Sequence, residues 1–354
     1  MNKRVAIILI NYKEYAKKYL DDCLYSIREQ DFSGLVKLYI VDNASSEETV
    51  SYLKDKAPEA ELIINKGNDG FAKGNNDAIL KAIEESFDYV FLLNMDTIAD
   101  KSALSKLVES IEKDDKIGAV QSRLMLHPDK ERINSLGNST HFLGFGFCLS
   151  YGDKYEEEKV KDLEKIFYPS GAAVLFRVSV LKELGLFDED YFMYSEDQDL
   201  GWRIWLAGYL CVLSKDSVVY HKYEFARSIS KYYYMDRNRI ITALKNYRLV
   251  TLIILAPAFI VMEIGLLYFS IKNGWYKEKI KIWLEFFTLD FWKKIKKGRK
   301  EVIKIRKVKD KDLFKMMSGK ISYQEISSPL LFVANLFLNM YFIFVKFLLR
   351  LFNI

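Results

Sequence analysis

Apolar positions in the first half of the chain come as short unbroken runs, and each run stops at small polar or acidic residues. Val5–Ile10 is a β-branched run ending in Asn11-Tyr12. Val36–Val41 ends in Asp42-Asn43-Ala44-Ser45-Ser46, Glu61–Ile64 in Asn65-Lys66-Gly67-Asn68-Asp69-Gly70, and Tyr89–Leu93 in Asn94-Met95-Asp96. Continuous apolar runs of this length predict strands covered on both faces. Between them the period changes. Tyr19, Leu20, Cys23, Leu24 and Ile27 recur at helical spacing within Tyr15–Arg28, and Ala72–Ser86 also reads as helix. Strands alternating with helices predict a mostly parallel sheet with right-handed crossovers.

The pattern then loosens. Ser102–Asp114 predicts a helix and Ile117–Gln121 a strand, followed by an irregular, glycine-punctuated segment over 127–155. Tyr168–Arg177 reads as a turn feeding a strand, and Val178–Leu184 as a helix closed by Gly185. Gln198–Ala207 is an amphipathic helix with Glu196 and Asp197 at its start. Tyr209–Leu213 and Ser217–Tyr220 read as two strands, the second ending at His221.

Past residue 230 the character changes, which divides the chain into 1–230 and 231–354. Leu249–Ile271 is a mostly apolar run with one charge, Glu263, and one proline, Pro257. Its length suits a bilayer span. A glutamate inside a membrane is costly, so a buried core helix or one lying in the interface fits equally. In Leu330–Phe352 the polar residues Asn335, Asn339, Lys346 and Arg350 fall within roughly a 60° arc, a narrow stripe on a wide apolar helix. Between these runs, the lysine-rich stretch 272–311 is interleaved with Trp275, Tyr276, Trp283, Phe286, Phe287 and Trp292. Lysines beside aromatics suit lipid headgroups, so the expected partner is a membrane surface rather than nucleic acid. The expected attachment is peripheral or monotopic, or by one or two C-terminal spans, with the catalytic part at the cytoplasmic face that basic segments prefer.

Composition narrows the class. With 354 residues, half of them hydrophobic, the chain can bury a large core. The net charge is +5, and the excess of base sits in 272–311, on a mildly acidic remainder. Cys23, Cys148 and Cys211 have no disulfide or metal spacing and fit a reducing compartment. Val5–Ile10 is too short for the core of a signal peptide. His127 and His141 fall in loops.

Ligands of open parallel sheets bind at the carboxyl ends of strands. Asn11-Tyr12, Asp42-Asn43, Asn68-Asp69-Gly70 and Asn94-Met95-Asp96 are all such ends. No G-x-G-x-x-G follows the first strand and no G-x-x-x-x-G-K-[ST] occurs, so a nucleotide's diphosphate needs another counter-charge. A divalent cation on Asp96 is the direct route. Tyr191-Phe192-Met193-Tyr194-Ser195-Glu196-Asp197-Gln198-Asp199 crowds carboxylates among aromatics, which raises the proton affinity of at least one. Gly171 and Ala172 are small enough to let backbone approach a ligand.

Taken in order, these pieces resemble those of an inverting family 2 glycosyltransferase with the GT-A fold, over residues 1 to about 230. Ile8-Leu9-Ile10-Asn11-Tyr12 resembles the opening strand and Val41-Asp42-Asn43-Ala44-Ser45 the base-reading acid. Asn68-Asp69-Gly70-Phe71-Ala72-Lys73-Gly74-Asn75-Asn76 is close to the N-x-G-F-A-x-G-N-N signature of the rhamnosyltransferase-like branch. Asn94-Met95-Asp96 stands at the D-x-D place and Ser195-Glu196-Asp197 at the catalytic acidic motif. The resemblance implies an α/β GT-A fold, a Rossmann-like mostly parallel sheet flanked by helices, with a C-terminal helical membrane-associating region.

The resemblance also implies roles. Asn11, Tyr12, Asp42, Asn68, Gly70, Lys73, Asn94 and Asp96 would bind the nucleotide-diphosphate sugar. Asp96 and His221 would hold Mn²⁺ or Mg²⁺, and Ser228 soon after supports the place of His221 in the family order. Asp197, with Glu196, would be catalytic, and Gly171, Ala172 and Trp202 would meet a glycan or lipid-linked acceptor. Two departures matter. Asn94 replaces the first acid of D-x-D, leaving Asp96 alone to bring charge to the metal. Gln198-Asp199-Leu200-Gly201-Trp202-Arg203 is not the Q-x-x-R-W of processive synthases, which implies transfer of one or a few sugars. The rival readings are a sugar-phosphate nucleotidyltransferase and a catalytically silent, membrane-bound glycan-binding protein or scaffold.

Overall fold

The structure is a computed structural model that describes residues 3–223, 232–322 and 329–354. The chain forms two compact units. The first comprises Met1–Asn138, Cys148–Ile204 and Tyr209–Tyr223, and the second Ser139–Phe147, Trp205–Gly208 and Glu224–Ile354. The expected boundary at 230 and Ser228 both lie outside the described residues. The sequence pattern did not suggest that 139–147 and 205–208 belong with the C-terminal unit.

In the first unit the elements run β1 (Arg4–Tyr12), α1 (Tyr15–Arg28), β2 (Leu35–Asn43), α2 (Glu47–Lys56), β3 (Glu61–Asn65), α3 (Gly70–Glu84), β4 (Tyr89–Leu93) and β5 (Thr97–Ala99). There follow α4 (Ala103–Ile111), β6 (Ile117–Leu126) and β7 (Ile133–Ser135); the short pair β8 (Asn138–Thr140) and β9 (Gly146–Cys148), most of whose residues fall in the second unit; then β10 (Glu164–Lys165), β11 (Ala173–Arg177), α5 (Val178–Leu184), α6 (Glu196–Leu206, its last two residues in the second unit) and β12 (Leu210–His221). The main sheet has the order β10-β12-β6-β11-β4-β1-β2-β3, with β5 on β12 and β7 on β6. β4, β1, β2 and β3 are mutually parallel, as are β6 and β12, while β11 runs antiparallel between β4 and β6. The sheet is thus mixed.

β1 is covered on both sides, as its unbroken apolar run predicts. Val5, Ile7 and Leu9 share a core with Tyr19, Leu20, Cys23 and Leu24 of α1, and Ala6 and Ile8 are buried as well. Burying each large aliphatic side chain this way stabilises the fold by about 1.5–3 kcal/mol. Two readings change. The two strands expected over Tyr209–Tyr220 are one, β12, whose register on β6 shifts between Ser214 and Val218. The bulge leaves Asp216 exposed, while Ser217 re-enters and bonds Ser122 at 2.8 Å. Helix α2 was not read at all. Its signal was Ser45-Ser46-Glu47-Glu48, and the Ser46 hydroxyl caps it by accepting from Thr49 N at 3.2 Å.

The second unit is helical: α7 (Tyr232–Asn246), α8 (Leu249–Lys272), α9 (Tyr276–Phe286), α10 (Leu289–Ile305), the single turn α11 (Asp310–Leu313) and α12 (Pro329–Leu351). Its centre is ionic. Lys279, fully buried on α9, reaches Asp236 of α7 and Glu263 of α8, each at 2.6 Å. Arg239 bonds the same two carboxylates, and Trp283 Nε1 donates to Glu263 at 2.9 Å. Removing one member of such a set strands the rest in a low dielectric. Lys279→Ala is expected to lower stability by about 3–5 kcal/mol, read as a fall in the denaturant midpoint of the full chain.

Candidate active site

The strand ends carry the chemistry because the register aligns them. Asn11 and Asp42 are partners across β1 and β2. Asn11 Nδ2 donates to Asp42 Oδ1 at 2.6 Å and to Ser45 Oγ at 2.9 Å, while its Oδ1 accepts from Ala16 N at 2.8 Å. Asn11 therefore ties the start of α1 to the acid on β2. Asp42 is fully buried, and its Oδ2 has no hydrogen-bond partner among the described residues, an acceptor left for a donor to satisfy. Tyr12, next along β1, is partly exposed.

One strand over, β4 ends in the turn Asn94–Asp96 and β5 doubles back along the end of β12, pairing Thr97 with His221. That register brings His221 Nε2 to 3.3 Å from Asp96 Oδ1, both side chains 7% exposed. His221 Nδ1 lies 2.9 Å from Asn134 Oδ1 on β7. With that oxygen accepting, Nδ1 donates, and in the neutral ring Nε2 then presents a lone pair to a carboxylate oxygen. Two acceptors so placed repel unless a proton or a cation lies between them, and a separation near 3 Å suits neighbouring ligands of one divalent ion. No group of three or more His, Cys, Asp or Glu ligands exists among the described residues. The donor set thus fits a cation that completes its shell with water and phosphate oxygens, as Mg²⁺ commonly does.

The acidic motif arrives through β11. Because β11 runs antiparallel to β4, its entry lies where β4 ends, and Ala173 pairs with Leu93. Asn94 N donates to Ala172 O at 3.0 Å. Gly171 N donates to Asp197 Oδ2 at 3.2 Å, and Gln198 N to Asp197 Oδ1 at 2.7 Å. Contacts therefore run from Asp197 through Gly171–Ala172 and Asn94 to the Asp96–His221 pair. Burial pushes the Asp197 carboxyl up to about 6 against the pull of these amides. Glu196, buried beside it with Oε2 unpartnered among the described residues, is held well above the ordinary carboxylate range by burial and by the Asp197 charge.

The approach to this motif is strained. Phe192 (φ 62°, ψ −63°), Tyr194 (φ 67°) and Ser195 (φ 66°) all occupy the positive-φ region. Met193 N donates to Tyr191 O at 2.6 Å, which makes residues 191–193 a γ-turn of the strained hand. The Phe192 carbonyl holds the turn by accepting from Phe71 N at 2.7 Å and Ala72 N at 3.2 Å, the first amides of α3. Gly70 permits the approach: at φ +80°, its missing Cβ would lie 2.4 Å from Phe192 O. Asn43 donates to Gly70 O at 3.0 Å, so the acid-bearing end of β2 joins the same network.

The other expected residues make protein contacts. Asn68 Oδ1 accepts from Gly70 N at 3.2 Å, and Lys73 pairs with Asp77 at 2.8 Å and Asp69 at 3.5 Å. Trp202 is fully buried, edge-on to Phe167 with ring centroids 5.3 Å apart, and packs the interior. The residues that sequence reading missed are Asn134, which orients His221, and Phe192. Neither left a signal: Asn134 lies 87 positions from its partner, and Phe192 acts through its backbone.

The profile of Glycosyl transferase family 2 matches residues 6–185, half of the chain. The chain belongs to this family. Among curated relatives it is 27% identical over 203 residues to the N-acetylglucosaminyl-diphospho-decaprenol L-rhamnosyltransferase of Mycobacterium tuberculosis, covering 52% of this chain and 66% of that one. It is 26% identical over 207 residues to the poly-beta-1,6-N-acetyl-D-glucosamine synthase of Staphylococcus epidermidis, covering 58% and 46%. The match spans less than two thirds of either relative. Among solved structures, GalNAc-T7 with UDP, GalNAc and Mn²⁺ superposes with TM-score 0.52 at 14% identity over 63% of this chain and 44% of that one. TarS residues 1–349 of S. aureus in complex with UDP superposes with TM-score 0.50 at 15% identity over 99% and 91%. The fold of this family 2 chain is GT-A-like, an α/β architecture with a mixed central sheet.

The γ-turn contact yields a measurable expectation for the family 2 unit. Gly70→Ala adds a left-handed alanine and a clash with Phe192 O, so it should cost at least about 1–2 kcal/mol in urea unfolding. An unchanged midpoint would show that the turn yields freely.

Proposed function

We propose that this chain is an inverting glycosyltransferase that moves one or a few sugars from a nucleotide-diphosphate sugar to a hydroxyl of a lipid-linked or cell-surface glycan. What carries the reading is the contact chain at one sheet edge, where Asp197, raised in proton affinity yet partly exposed, connects through Gly171–Ala172 and Asn94 to the Asp96–His221 pair. The rhamnosyltransferase and synthase relatives support the acceptor class by their names alone.

The chemistry is a single displacement. The acceptor oxygen attacks the anomeric carbon, its proton passes to the Asp197 carboxylate, and the bond from that carbon to the diphosphate oxygen breaks. A base with pKa near 6 is ionised at neutral pH yet still takes a proton readily. Glu196, its proton affinity raised by burial and by the Asp197 charge, disfavours a second negative charge beside the base. Asn11, Tyr12 and Asp42 hold the nucleoside end, Asp42 through its unfilled oxygen. Asp96 and His221 would hold Mn²⁺ or Mg²⁺, and a bound ion would supply Lewis-acid stabilisation of the departing diphosphate. Asn134 fixes the His221 ring so that Nε2 stays directed at Asp96. We assign the cytoplasmic face of the membrane as the site of action, where nucleotide sugars are at hand.

Asp197→Asn is expected to reduce nucleoside diphosphate release, measured with a panel of nucleotide sugars and lipid-linked acceptors, by at least about 100-fold. Full retained turnover would remove the base assignment. Stability separates this loss from misfolding. The raised folded-state pKa favours the native protein at low pH, and that contribution is lost as pH rises through about 6. The variant should therefore unfold no more easily than the parent at pH 8. In the parent, the transfer rate should climb as pH rises through about 6, as Asp197 loses its proton. A rate flat from about pH 5 to about pH 8 would exclude a carboxylate base of this kind.

A further inference from the structure

The second unit places its charges inside and its apolar surface outside, and its outermost helices differ in kind. On α8, Leu249, Ile253, Ile260, Ile264, Tyr268 and Ile271 are all about 60% exposed and lie on one face over the whole length of the helix. On α12, Phe332, Leu336, Met340, Ile343, Phe347 and Leu351 are likewise exposed along one face. The two helices pack side by side, with the Tyr341 hydroxyl donating to Ile254 O at 2.5 Å. Both are long and apolar enough to cross a membrane. Apolar faces of this extent on a water-exposed protein mark a binding surface.

The polar positions argue against spanning. Asn335 of α12 faces the protein, where its amide bonds both Ile321 N (2.8 Å) and Ile321 O (2.9 Å). Glu263 of α8 is likewise turned inward and bound to Lys279 of α9 and Arg239 of α7. If α8 stood across a bilayer, Glu263 would lie well inside the hydrocarbon and would drag α9 with it. α9 carries exposed Lys277, Glu278 and Lys281, which hydrocarbon penalises severely. A flat α8 meets no such penalty, because its apolar face enters the membrane while its ionic partners stay on the protein side.

α10 carries the exposed basic charge. Lys293, Lys296, Lys297 and Lys300 are exposed and make no ion pair among the described residues. Trp292 and Leu289 are exposed beside them, the pairing of ring and ammonium that suits a headgroup layer. We propose that α8 and α12 lie in the plane of an anionic bilayer surface, monotopically, with the α10 lysines selecting acidic headgroups. This proposal is independent of the transferase reading, because its test measures lipid binding.

The full chain is sedimented with phosphatidylcholine vesicles, with and without about one third phosphatidylglycerol, at low and high salt. Binding should be at least about tenfold tighter with the anionic lipid, and the difference should shrink as salt rises. Lys296→Glu with Lys297→Glu and Lys300→Glu should abolish the anionic preference and leave the thermal midpoint in place. Ile260→Ser with Ile264→Ser should weaken binding to both vesicle types. In vesicle-bound protein, Arg248→Cys and Asn273→Cys, at the two ends of α8, should both react with an impermeant maleimide added outside, above the labelling of the parent chain. An end that reacts only after vesicle lysis would overturn the in-plane arrangement. Equal binding to neutral and anionic vesicles would overturn the lysine assignment. Absence of vesicle binding, with dimers in solution, would assign the apolar face to a second copy of the chain instead.

Discussion

The antiparallel course of β11 between β4 and β6 is the constraint on which the candidate site depends. Had that strand run parallel, its entry would lie at the opposite edge of the sheet, away from Asn94 and Asp96. Reversed, it delivers Gly171 and Ala172 to the carboxyl end of β4, where Ala172 takes the Asn94 amide and Gly171 takes the Asp197 carboxylate. Two backbone hydrogen bonds thus convert a distant acidic motif into a neighbour of the strand-end acid. The β5–β12 pairing does the same for His221.

Carboxylates held this way are expensive to keep. Asp42, Glu196 and Asp96 are buried, and Asp42 and Glu196 each carry an oxygen with no partner among the described residues. Hydrogen-bond donors offset part of that cost, at Asp42 from Asn11 and at Asp197 from two backbone amides, while positive-φ residues 192, 194 and 195, which lead directly into the motif, add strain to it. Strain persists only where its surroundings over-determine it. Here the first amides of α3 grip Phe192 O, and Gly70 leaves room for the grip. The N-x-G-F-A segment, which invites reading as a ligand loop, is therefore also the clamp on the acidic motif.

The helical unit solves a different electrostatic problem. Asp236, Arg239, Glu263 and Lys279 neutralise one another where water is scarce, while aliphatic and aromatic side chains of α8 and α12 cover the outside. Charges buried in this manner contribute little net stability but are costly to break singly. They fix how α7, α8 and α9 pack, and so which face of α8 is left apolar.

Local periodicity was enough to locate β1, α1, β4, α5 and the two long apolar helices, because burial on one or both faces writes directly into the spacing of apolar residues. The strand-end residues Asn11, Asp42 and Asp96 were legible for a related reason: in a parallel sheet, the chain leaves each strand at the same edge. Periodicity was silent on partners far apart in the chain. It gave no warning that β11 runs backwards, that β12 continues through a bulge, that Asn134 steers His221, or that Trp202 faces inward. It left Glu263 an unexplained charge, since only the arrival of Lys279 and Arg239 tells which way it points. Spacing along a chain encodes which face of an element is buried, whereas direction, register and the identity of the neighbour are set by long-range pairing, which three-dimensional packing alone decides.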